Sequence, residues 1–304
     1  MAGLKAIKLK IRSTDKTRKV TKAMEAVSAA KMRKAQQRAI AGRAYARAAV
    51  AILSRVSGSK ELQSHPLVTA SSATGALYIV LTSDKGLAGA LNSAVLRAAI
   101  ADMATEGYNA SNTSIIAIGK KANDFFLNRH FKIENFYTNT DTVTDTVLGE
   151  VLKDVAARFA AGEVGKVKIV YQNFISTFEQ RPTLRTVFPL SLDELQKVVA
   201  DIVPAKGVFS NVADEEKPTL YTIEPSDSEV LSAILPRLAG IFLYHALLET
   251  QASEHSARMV SMKSASDKAG EMKHSLTLQF NKARQAAITR EVSEITGGME
   301  AMAS

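Results

Sequence analysis

Two long stretches of this chain carry apolar and small residues at helical spacing, one at each terminus. From Leu4 to about Val56 there is no proline. Apolar and small residues recur at alternating steps of three and four near both ends of this stretch, and around its middle the apolar strip shifts to another face, at Val20, Met24 and Val27. The second stretch starts near Asp227 and keeps this spacing almost to the last residue. Its one internal proline, Pro236, either kinks the helix or restarts it. The pattern predicts two helices much longer than those of ordinary globular domains.

Each of these helices needs a partner, because helical propensity alone does not keep so long a helix folded in water. The most economical partner is the other helix, packed antiparallel, since a central body can hold both ends side by side. Alanine and serine dominate the facing positions, so the two axes can approach closely. The repeat is near 3.5 residues, which predicts left-handed winding. We therefore expect a slim antiparallel coiled coil, and thus a rod that carries a globular body.

The middle of the chain changes to short apolar runs that alternate with helical stretches. Ala76–Leu81, Thr113–Ile118 and Lys166–Phe174 have strand length, and Val143–Ala161 has helical spacing. Arg185–Phe188 is a candidate edge strand. This alternation favours a mostly parallel, doubly wound sheet. The predicted fold class is α/β, with a long antiparallel coiled coil of the terminal helices and a central Rossmann-like α/β domain.

The pattern also predicts where these parts begin and end. Residues 1–58 form the amino-terminal coiled-coil helix, residues 75–224 the central α/β domain, and residues 227–304 the carboxy-terminal coiled-coil helix. Pro225-Ser226-Asp227 is a start signal for the last helix, with either Ser226 or Asp227 as its cap. Leu190–Pro218 reads mostly as a surface excursion, and we assign it no role.

Charge is distributed unevenly along the chain. Its formal net charge is +9, yet residues 1–60 hold 16 Lys or Arg against only Asp15 and Glu25, a local charge of +14. Such asymmetry suggests an acidic partner surface, a nucleic acid or a lipid headgroup layer. The longest apolar run, Leu238–Leu248, is interrupted by His245 and is shorter than the roughly 20 residues that a bilayer needs. A link to a membrane is therefore expected only through a partner.

Motifs for catalysis or cofactor binding are weak in this sequence. The segment Thr82–Gly89 follows a predicted strand but lacks the spacing of a P-loop and of a dinucleotide loop, so it reads as a tight strand-to-helix turn. The chain has no cysteine, and its five histidines form no ligand pattern. We predict no catalytic residue, no cofactor and no metal site, and an enzyme with its own active site is not favoured.

A nucleic-acid-binding coiled coil is the alternative that the charge leaves open. Proteins that bind single strands place aromatic side chains among basic ones for base stacking. Residues 1–60 contain one aromatic residue, Tyr45, and the predicted seam is rich in alanine rather than leucine. The alternative therefore explains the charge but not the rest of the pattern.

Three separated segments resemble signatures of one family. Lys19–Ala35 resembles the amino-terminal signature of the ATP synthase gamma subunit, Thr82–Gly89 resembles its SDRGLCG turn, and Arg284–Glu291 matches its RQxxITxE signature. The resemblance spans nearly the whole chain and is closest to the bacterial type. It implies a rotor shaft of a rotary motor, standing in a ring of three alpha and three beta subunits. Its base would rest on the c-ring beside the epsilon subunit, with ATP chemistry in the alpha–beta ring.

The resemblance also implies which residues contact partners. They fall into three groups: Lys22, Met24 and Lys31; Lys85, Gly86 and Leu87; and Arg284, Gln285, Thr289 and Glu291. The first group is expected to face acidic lower segments of the beta subunits, and the third to meet catch loops higher in the ring. The second group belongs to the globular body, where family members contact other parts of the complex.

The sequence departs from the family in the central turn. Lys85 and Ala88 stand where the family has arginine and cysteine, so a role that needs a thiol is lost. The cysteine-bearing regulatory insertion of chloroplast members is also missing. The resemblance implies a peripheral position at the cytoplasmic face of the plasma membrane, with the mitochondrial matrix face as the open alternative. Nucleic acid is not among the implied partners.

Overall fold

The computed structural model describes residues 2–56, 60–140, 144–191 and 226–303. Within these residues the helices are α1 (Ala2–Val56), α2 (Lys60–Gln63), α3 (Leu91–Thr105), α4 (Lys120–Leu127), α5 (Asp145–Ala160) and α6 (Asp227–Ala303). The strands are β1 (Ala76–Leu81), β2 (Thr113–Ile118), β3 (Lys132–Tyr137), β4 (Lys166–Phe174) and β5 (Gln180–Phe188). Contacts divide the chain into two compact units, residues 1–30 with 258–304 and residues 31–257, and both α1 and α6 contribute to each unit.

The first unit, here called the two-helix unit, is an antiparallel pair. The Asp15 carboxylate accepts a hydrogen bond of 2.7 Å from Lys273 Nζ. Three residues further along α1, the Arg18 side chain passes close to Gly270, which lies three residues earlier in α6. Because one residue number rises as the other falls, the helices run in opposite directions. The predicted antiparallel coiled coil is therefore confirmed.

The seam of the two-helix unit consists mainly of small and polar residues. Thr21, Ser266 and Ala269 are buried, and Met262 is the largest apolar side chain buried on the α6 side. The Thr21 hydroxyl donates to carbonyl oxygens of its own helix, so its burial leaves no donor without a partner. Small seam residues bring the helix axes close but bury little apolar area for each turn.

The second unit, here called the α/β unit, is built on a five-stranded sheet in the order β3-β2-β1-β4-β5. The first four strands are parallel, and β5 pairs antiparallel with β4. One core lies between the sheet and helices α3 and α4, and a second lies between the sheet, α5 and the first part of α6. The predicted doubly wound, mostly parallel sheet is confirmed.

Strand β1 is buried along its whole length, because both faces of the sheet are covered. Leu77, Ile79 and Leu81 point into the core beside α5 and α6, and Tyr78 and Val80 into the core beside α3 and α4. This explains why β1 reads as a continuous apolar run rather than as an alternating one.

Two edge strands differ from the sequence-based expectation. Strand β3 was not predicted, because Lys132, Glu134 and Asn135 interrupt its apolar pattern and its side chains are mostly exposed or half-buried. Strand β5 is longer than the predicted Arg185–Phe188 and contains Pro182, which an edge strand tolerates because one row of its N–H groups makes no ladder bonds.

Helix α6 begins at the predicted cap and has no break at its proline. The Glu229 N–H donates to Ser226 Oγ at 3.3 Å, which makes Ser226 the N-cap, and Ser226 Oγ donates to the Glu229 carboxylate at 3.2 Å. The helix continues through Pro236, so it does not restart there. The predicted surface excursion Leu190–Pro218 falls, apart from its first two residues, outside the described residues.

By length and composition, α6 contains a window apolar enough to cross a membrane, and half of that window is buried inside the protein. Leu238, Leu243 and Leu247 from this part of α6 belong to the core against the sheet. Core helices commonly satisfy the same criterion, so its apolar character here is explained by packing in the α/β unit.

Candidate partner-contact surfaces

The residues of the first predicted contact group lie on α1. Lys22 is exposed and forms an ion pair of 3.3 Å with Glu25, one turn further along the helix. Met24 is half-buried, and Lys31 is exposed. An exposed pair within one helix contributes little to stability, so Lys22 is free to exchange Glu25 for an acidic group on another protein.

The surrounding face of α1 is strongly basic. Its exposed basic residues up to position 22 are Lys5, Lys8, Lys10, Arg12, Lys16, Arg18, Lys19 and Lys22. Asp15 is the acidic residue among them, and its hydrogen bonds to Lys273 and then to Lys19 lower the pKa of its carboxyl group. The remaining positive charge is exposed and gives this face a field that attracts acidic surfaces.

The third predicted group lies on α6 within the two-helix unit. Arg284, Gln285, Thr289 and Glu291 are all exposed. The Thr289 hydroxyl donates to the Gln285 carbonyl at 3.0 Å, one turn earlier, so this bond stays within the helix. The charged and amide side chains of the group are therefore presented outward.

The structure does not bring the first and third groups together. The pairing of Arg18 near Gly270 places Lys22 opposite the region of residue 266. At about 1.5 Å per residue, Arg284 lies roughly 27 Å further along the unit. The two groups can therefore contact different segments of a partner at different heights.

An exposed apolar stripe on α6 was not among the predicted contact residues. Ile288, Val292, Ile295 and Met299 expose 52%, 53%, 63% and 67% of their surface. Their spacing of four, three and four residues places them on one helix face. Such a stripe is unfavourable in water and marks a surface that another protein covers. The signal was present in the sequence as helical spacing, but only the structure reveals that α1 does not cover it.

The second predicted group lies in the loop after β1, which is held rigidly at its base. The Ser83 N–H donates to Asn92 Oδ1 at 3.0 Å, and the Asn92 amide donates to Ser83 Oγ at 2.7 Å. Asp84 accepts a bond of 2.9 Å from the backbone N–H of Lys120 on α4. The loop is therefore tied to two helices of the α/β unit.

The tip of this loop presents Lys85, Gly86 and Leu87. All three are exposed, and Ser83 Oγ donates to the Lys85 carbonyl at 2.6 Å. Leu87 has a φ of 65° and exposes 63% of its surface. A branched apolar residue in left-handed backbone geometry is costly, and such residues cluster at functional sites. Leu87 therefore remains a candidate contact residue, exposed and in a backbone conformation that is unusual for its type.

A cluster of charged side chains around the buried Lys168 lies between the sheet and α3. Lys168 is almost fully buried and donates to Asp102 at 2.7 Å and to Glu106 at 2.6 Å. Tyr78 also donates to Asp102, at 2.6 Å, and Lys166 donates to Glu106 at 2.7 Å. The cluster connects strands β1 and β4 to one side of α3.

The pKa values of Lys168, Glu106 and Tyr78 in this cluster move away from neutrality. Burial acts to lower the pKa of Lys168, but its bonds to Asp102 and Glu106 outweigh this and raise it. Burial acts to raise the pKa of Glu106, but Lys166 and Lys168 lower it. Burial and then the bond to Asp102 raise the pKa of Tyr78 well above its usual range. Acid–base catalysts are tuned towards neutral pKa values, so these shifts indicate a structural network.

Metal-ligating side chains do not cluster in the part of the chain that the structure describes: no group of three or more His, Asp or Glu residues has a suitable arrangement there. The features that do stand out in the described residues are exposed surfaces on α1, on α6 and in the loop after β1.

Comparison with known proteins gives one consistent result. A family model described as ATP synthase matches residues 3–302. The ATP synthase gamma chain of Heliobacterium modesticaldum is 37% identical over 306 residues, covering 99% of this chain and 100% of that protein. The ATP synthase gamma chain of Staphylococcus haemolyticus is 35% identical over 303 residues, with coverage of 99% and 100%.

Solved structures support the same fold. A chain of the Euglena gracilis mitochondrial ATP synthase matches with a TM-score of 0.64 and 19% identity, over 99% of this chain and 95% of that chain. A chain of the Tetrahymena thermophila mitochondrial ATP synthase central stalk and c-ring structure matches with a TM-score of 0.58 and 22% identity, over 81% and 99%.

An antiparallel helix pair, a Rossmann-like sheet and a match over nearly the full length define a subunit of the rotary ATP synthase class. Within that class, the chain belongs to the ATP synthase gamma chain family. It is therefore a subunit of an F-type ATP synthase and forms the central stalk of its rotor. As such it is part of the F1 headpiece, which is attached to the membrane. The resemblance seen in the three signatures is confirmed.

Proposed function

We propose that the two-helix unit acts as an asymmetric shaft that couples ion-driven rotation of a c-ring to ATP synthesis or hydrolysis in a ring of alpha and beta subunits. The observation that carries this proposal is the exposed surface of α6 from Arg284 to Met299, where charged residues adjoin an uncovered apolar stripe. A surface of this composition on an isolated helix requires a surrounding protein.

The mechanism follows from asymmetry. The two-helix unit presents basic side chains along α1 and an apolar stripe with Arg284 and Glu291 along α6. Three identical beta subunits around such a shaft meet different side chains, and each is biased towards a different open or closed state. Conformational bias requires this kind of difference in contact energy. A third of a turn permutes the three biases, so rotation orders the steps of ATP synthesis, and ATP hydrolysis drives rotation in reverse.

In this proposal each of the three contact groups binds a different part of the complex. Lys22, Met24 and Lys31 face acidic lower segments of the beta subunits, for which the excess charge of α1 supplies attraction. The α6 group, Arg284 to Glu291, meets loops higher in the ring. Leu87, with Lys85 and Gly86, provides a fixed contact from the α/β unit, which rests on the c-ring and the epsilon subunit.

The proposal includes no active site in this chain and no cofactor of its own. It is supported by the pKa shifts around Lys168, which lead away from acid–base chemistry at neutral pH. The proposed location is the cytoplasmic face of the plasma membrane, reached only through partner subunits. The alternative, a nucleic-acid-binding coiled coil, has the charge of α1 in its favour but leaves the stripe on α6 without a role.

Replacing both Arg284 and Gln285 by alanine tests the contact assignment. ATP synthesis in membrane vesicles should fall in the double variant while its thermal melting stays unchanged, because both side chains are exposed and no packing is lost. The matched control replaces Lys268 and Glu271, an exposed ion pair elsewhere on α6, by alanine. Full synthesis by the Arg284→Ala, Gln285→Ala variant would contradict the assignment.

A further inference from the structure

The sheet of the α/β unit has a crevice at the carboxyl ends of β1 and β4, and helix α6 fills it. Strand β1 leads through α3 to β2 on one side, whereas β3 leads through α5 to β4 on the other. In open α/β sheets this divergence of connections is the usual place for a ligand. Here the pairing of β1 with β4 ends at Val80 and Val170, which leaves the end of β4 open on that side.

Two hydroxyl groups of α6 satisfy the backbone of β4 beyond this point. The Gln172 N–H donates to Thr250 Oγ1 at 3.3 Å, and the Gln172 carbonyl accepts from Ser253 Oγ at 3.3 Å. Because both backbone groups of Gln172 bond towards α6, they point away from β5, and Pro182 can stand opposite Gln172 without removing a ladder bond. Thr250 and Ser253 are three residues apart and share one helix face.

A second set of bonds connects α6 to β1 and α4. Gln251 Nε2 donates to Asn139 Oδ1 at 3.0 Å, and Asn139 Nδ2 donates to the Thr82 carbonyl at 2.8 Å. The Thr82 hydroxyl accepts from the Ala122 N–H at 2.8 Å. At Gly119, with a φ of 103°, a Cβ would stand 2.1 Å from the Thr82 oxygen, so only glycine allows this approach.

The burial of polar side chains in this part of α6 is unusual. Between residues 250 and 256, the buried polar side chains are Thr250, Gln251, Ser253, Glu254 and Ser256. Polar residues are mostly exposed, and burying them costs free energy unless they are hydrogen-bonded. Apolar side chains of similar size would fill the same space without that cost. What hydrogen bonds add is direction, because they fix both the rotation of a helix about its axis and its position along that axis.

We infer that these residues form the joint through which torque passes between the sheet and helix α6. The joint, here called the helix–sheet junction, consists of Thr82, Asn139, Gln172, Thr250, Gln251 and Ser253. A smooth apolar contact resists compression but turns easily, whereas bonds from different sides of a helix resist turning. The inference rests on the proposed function, since only a rotor needs this resistance. These are positioning residues, and none is expected to contact a partner.

The test uses the complete ATP synthase in membrane vesicles with the variant Thr250→Val, Gln251→Leu, Ser253→Ala. ATP hydrolysis and ion uptake are measured together, with a pH-sensitive dye for protons or radioactive sodium. The expected result is near-normal hydrolysis with fewer ions taken up per ATP, and a lower maximal gradient, because a softened junction yields under opposing torque. A separate variant, Thr250→Ser with Ser253→Thr, keeps both hydroxyls and Gln251, and it should take up as many ions per ATP as the parent.

The controls separate this outcome from a loss of stability. Thr105→Val removes an exposed hydroxyl that bonds only within α3, and it should leave the ratio unchanged. If the residues had only a structural role, ATP hydrolysis and ion uptake would fall in equal proportion, and that result would overturn the inference. An assembled triple variant that takes up as many ions per ATP as the parent would overturn it as well. If the triple variant fails to assemble, the single variant Ser253→Ala is tested instead, and the number of ions taken up per ATP decides in the same way. If the parental chain itself neither assembles with alpha and beta subunits nor supports uptake, the proposed function fails instead.

Discussion

The α/β unit and the two-helix unit are stabilised in different ways. The α/β unit buries large side chains completely, among them Tyr78, Phe126, Phe159 and Phe188. The two-helix unit buries small and polar residues such as Thr21 and exposes several of its large apolar ones. One unit therefore has its core within the chain, whereas the other leaves much of its apolar surface for a partner. A shaft must be slim and must present its surface, so a large internal core would conflict with its role.

The largest expected effect comes from the core of the α/β unit. Phe159→Ala removes a ring that is buried and stacked on Phe188 with centroids 5.5 Å apart. The free energy of unfolding, measured by urea denaturation of the whole chain, should fall by about 3–5 kcal/mol. Phe178→Ala is the matched control, because Phe178 is 85% exposed and its loss should change little. Equal effects of the two substitutions would contradict the burial described above.

The buried ion pairs of the α/β unit predict how its stability depends on pH. The pKa of Glu106 is lowered in the folded state, so its contribution is present above its ordinary value of 4.5 and is lost as pH falls through the lower folded value. The pKa of Lys168 is raised, so its contribution is present below 10.5 and is lost as pH rises through the higher folded value. Chemical denaturation across pH should show a plateau between these limits.

Lys168→Met should lower that plateau by about 2 kcal/mol, because it leaves Asp102 and Glu106 without their buried donor. It should also remove the part of the alkaline decline that comes from Lys168, whereas the part that comes from the raised pKa of Tyr78 should remain. Lys166→Met is the comparison, since Lys166 is more exposed than Lys168 and pairs with Glu106 at 2.7 Å. A variant as stable as the parent at pH 7 would show that this network adds no stability.

The smallest effect is expected in the two-helix unit. Asp15→Asn removes the charge that pairs with Lys273 across the helices and with Lys19 along α1. Because these groups are accessible to solvent, the thermal melting should shift only slightly and lose part of its salt dependence. Breaking the exposed pair Lys268–Glu271 within α6 serves as the control. A loss of stability as large as that caused by Phe159→Ala would mean that the Asp15–Lys273 pair, rather than the packed seam, determines the stability of this unit.

Periodicity made the helices and the central strands predictable. The spacing in α1 and α6 is long and regular, and β1, β2 and β4 are apolar runs bounded by turn residues. Strand β3 was missed because an edge strand needs no apolar pattern, and its lysine, glutamate and asparagine are typical of exposed positions. Its place in the sheet is determined by pairing with β2, a long-range contact that local sequence does not encode.

The contact surfaces were predictable only in part. The three signatures located Lys22, Leu87 and Arg284 through resemblance, and their exposure agrees with a contact role without testing it. The helix–sheet junction gave no comparable signal, because Thr250 and Ser253 are ordinary residues in a serine-rich helix. Their role depends on where β1 ends beside β4, which only the assembled sheet reveals.

Helix α6 is unbroken from Asp227 to Ala303, and this constrains how its length can change. Removing one residue would swing every later side chain by roughly 100° about the helix axis. The stripe from Ile288 to Met299 would then point in a new direction, even though no contact residue had been altered. Gains and losses within α6 should therefore be tolerated only in numbers close to whole turns, such as seven or eleven residues.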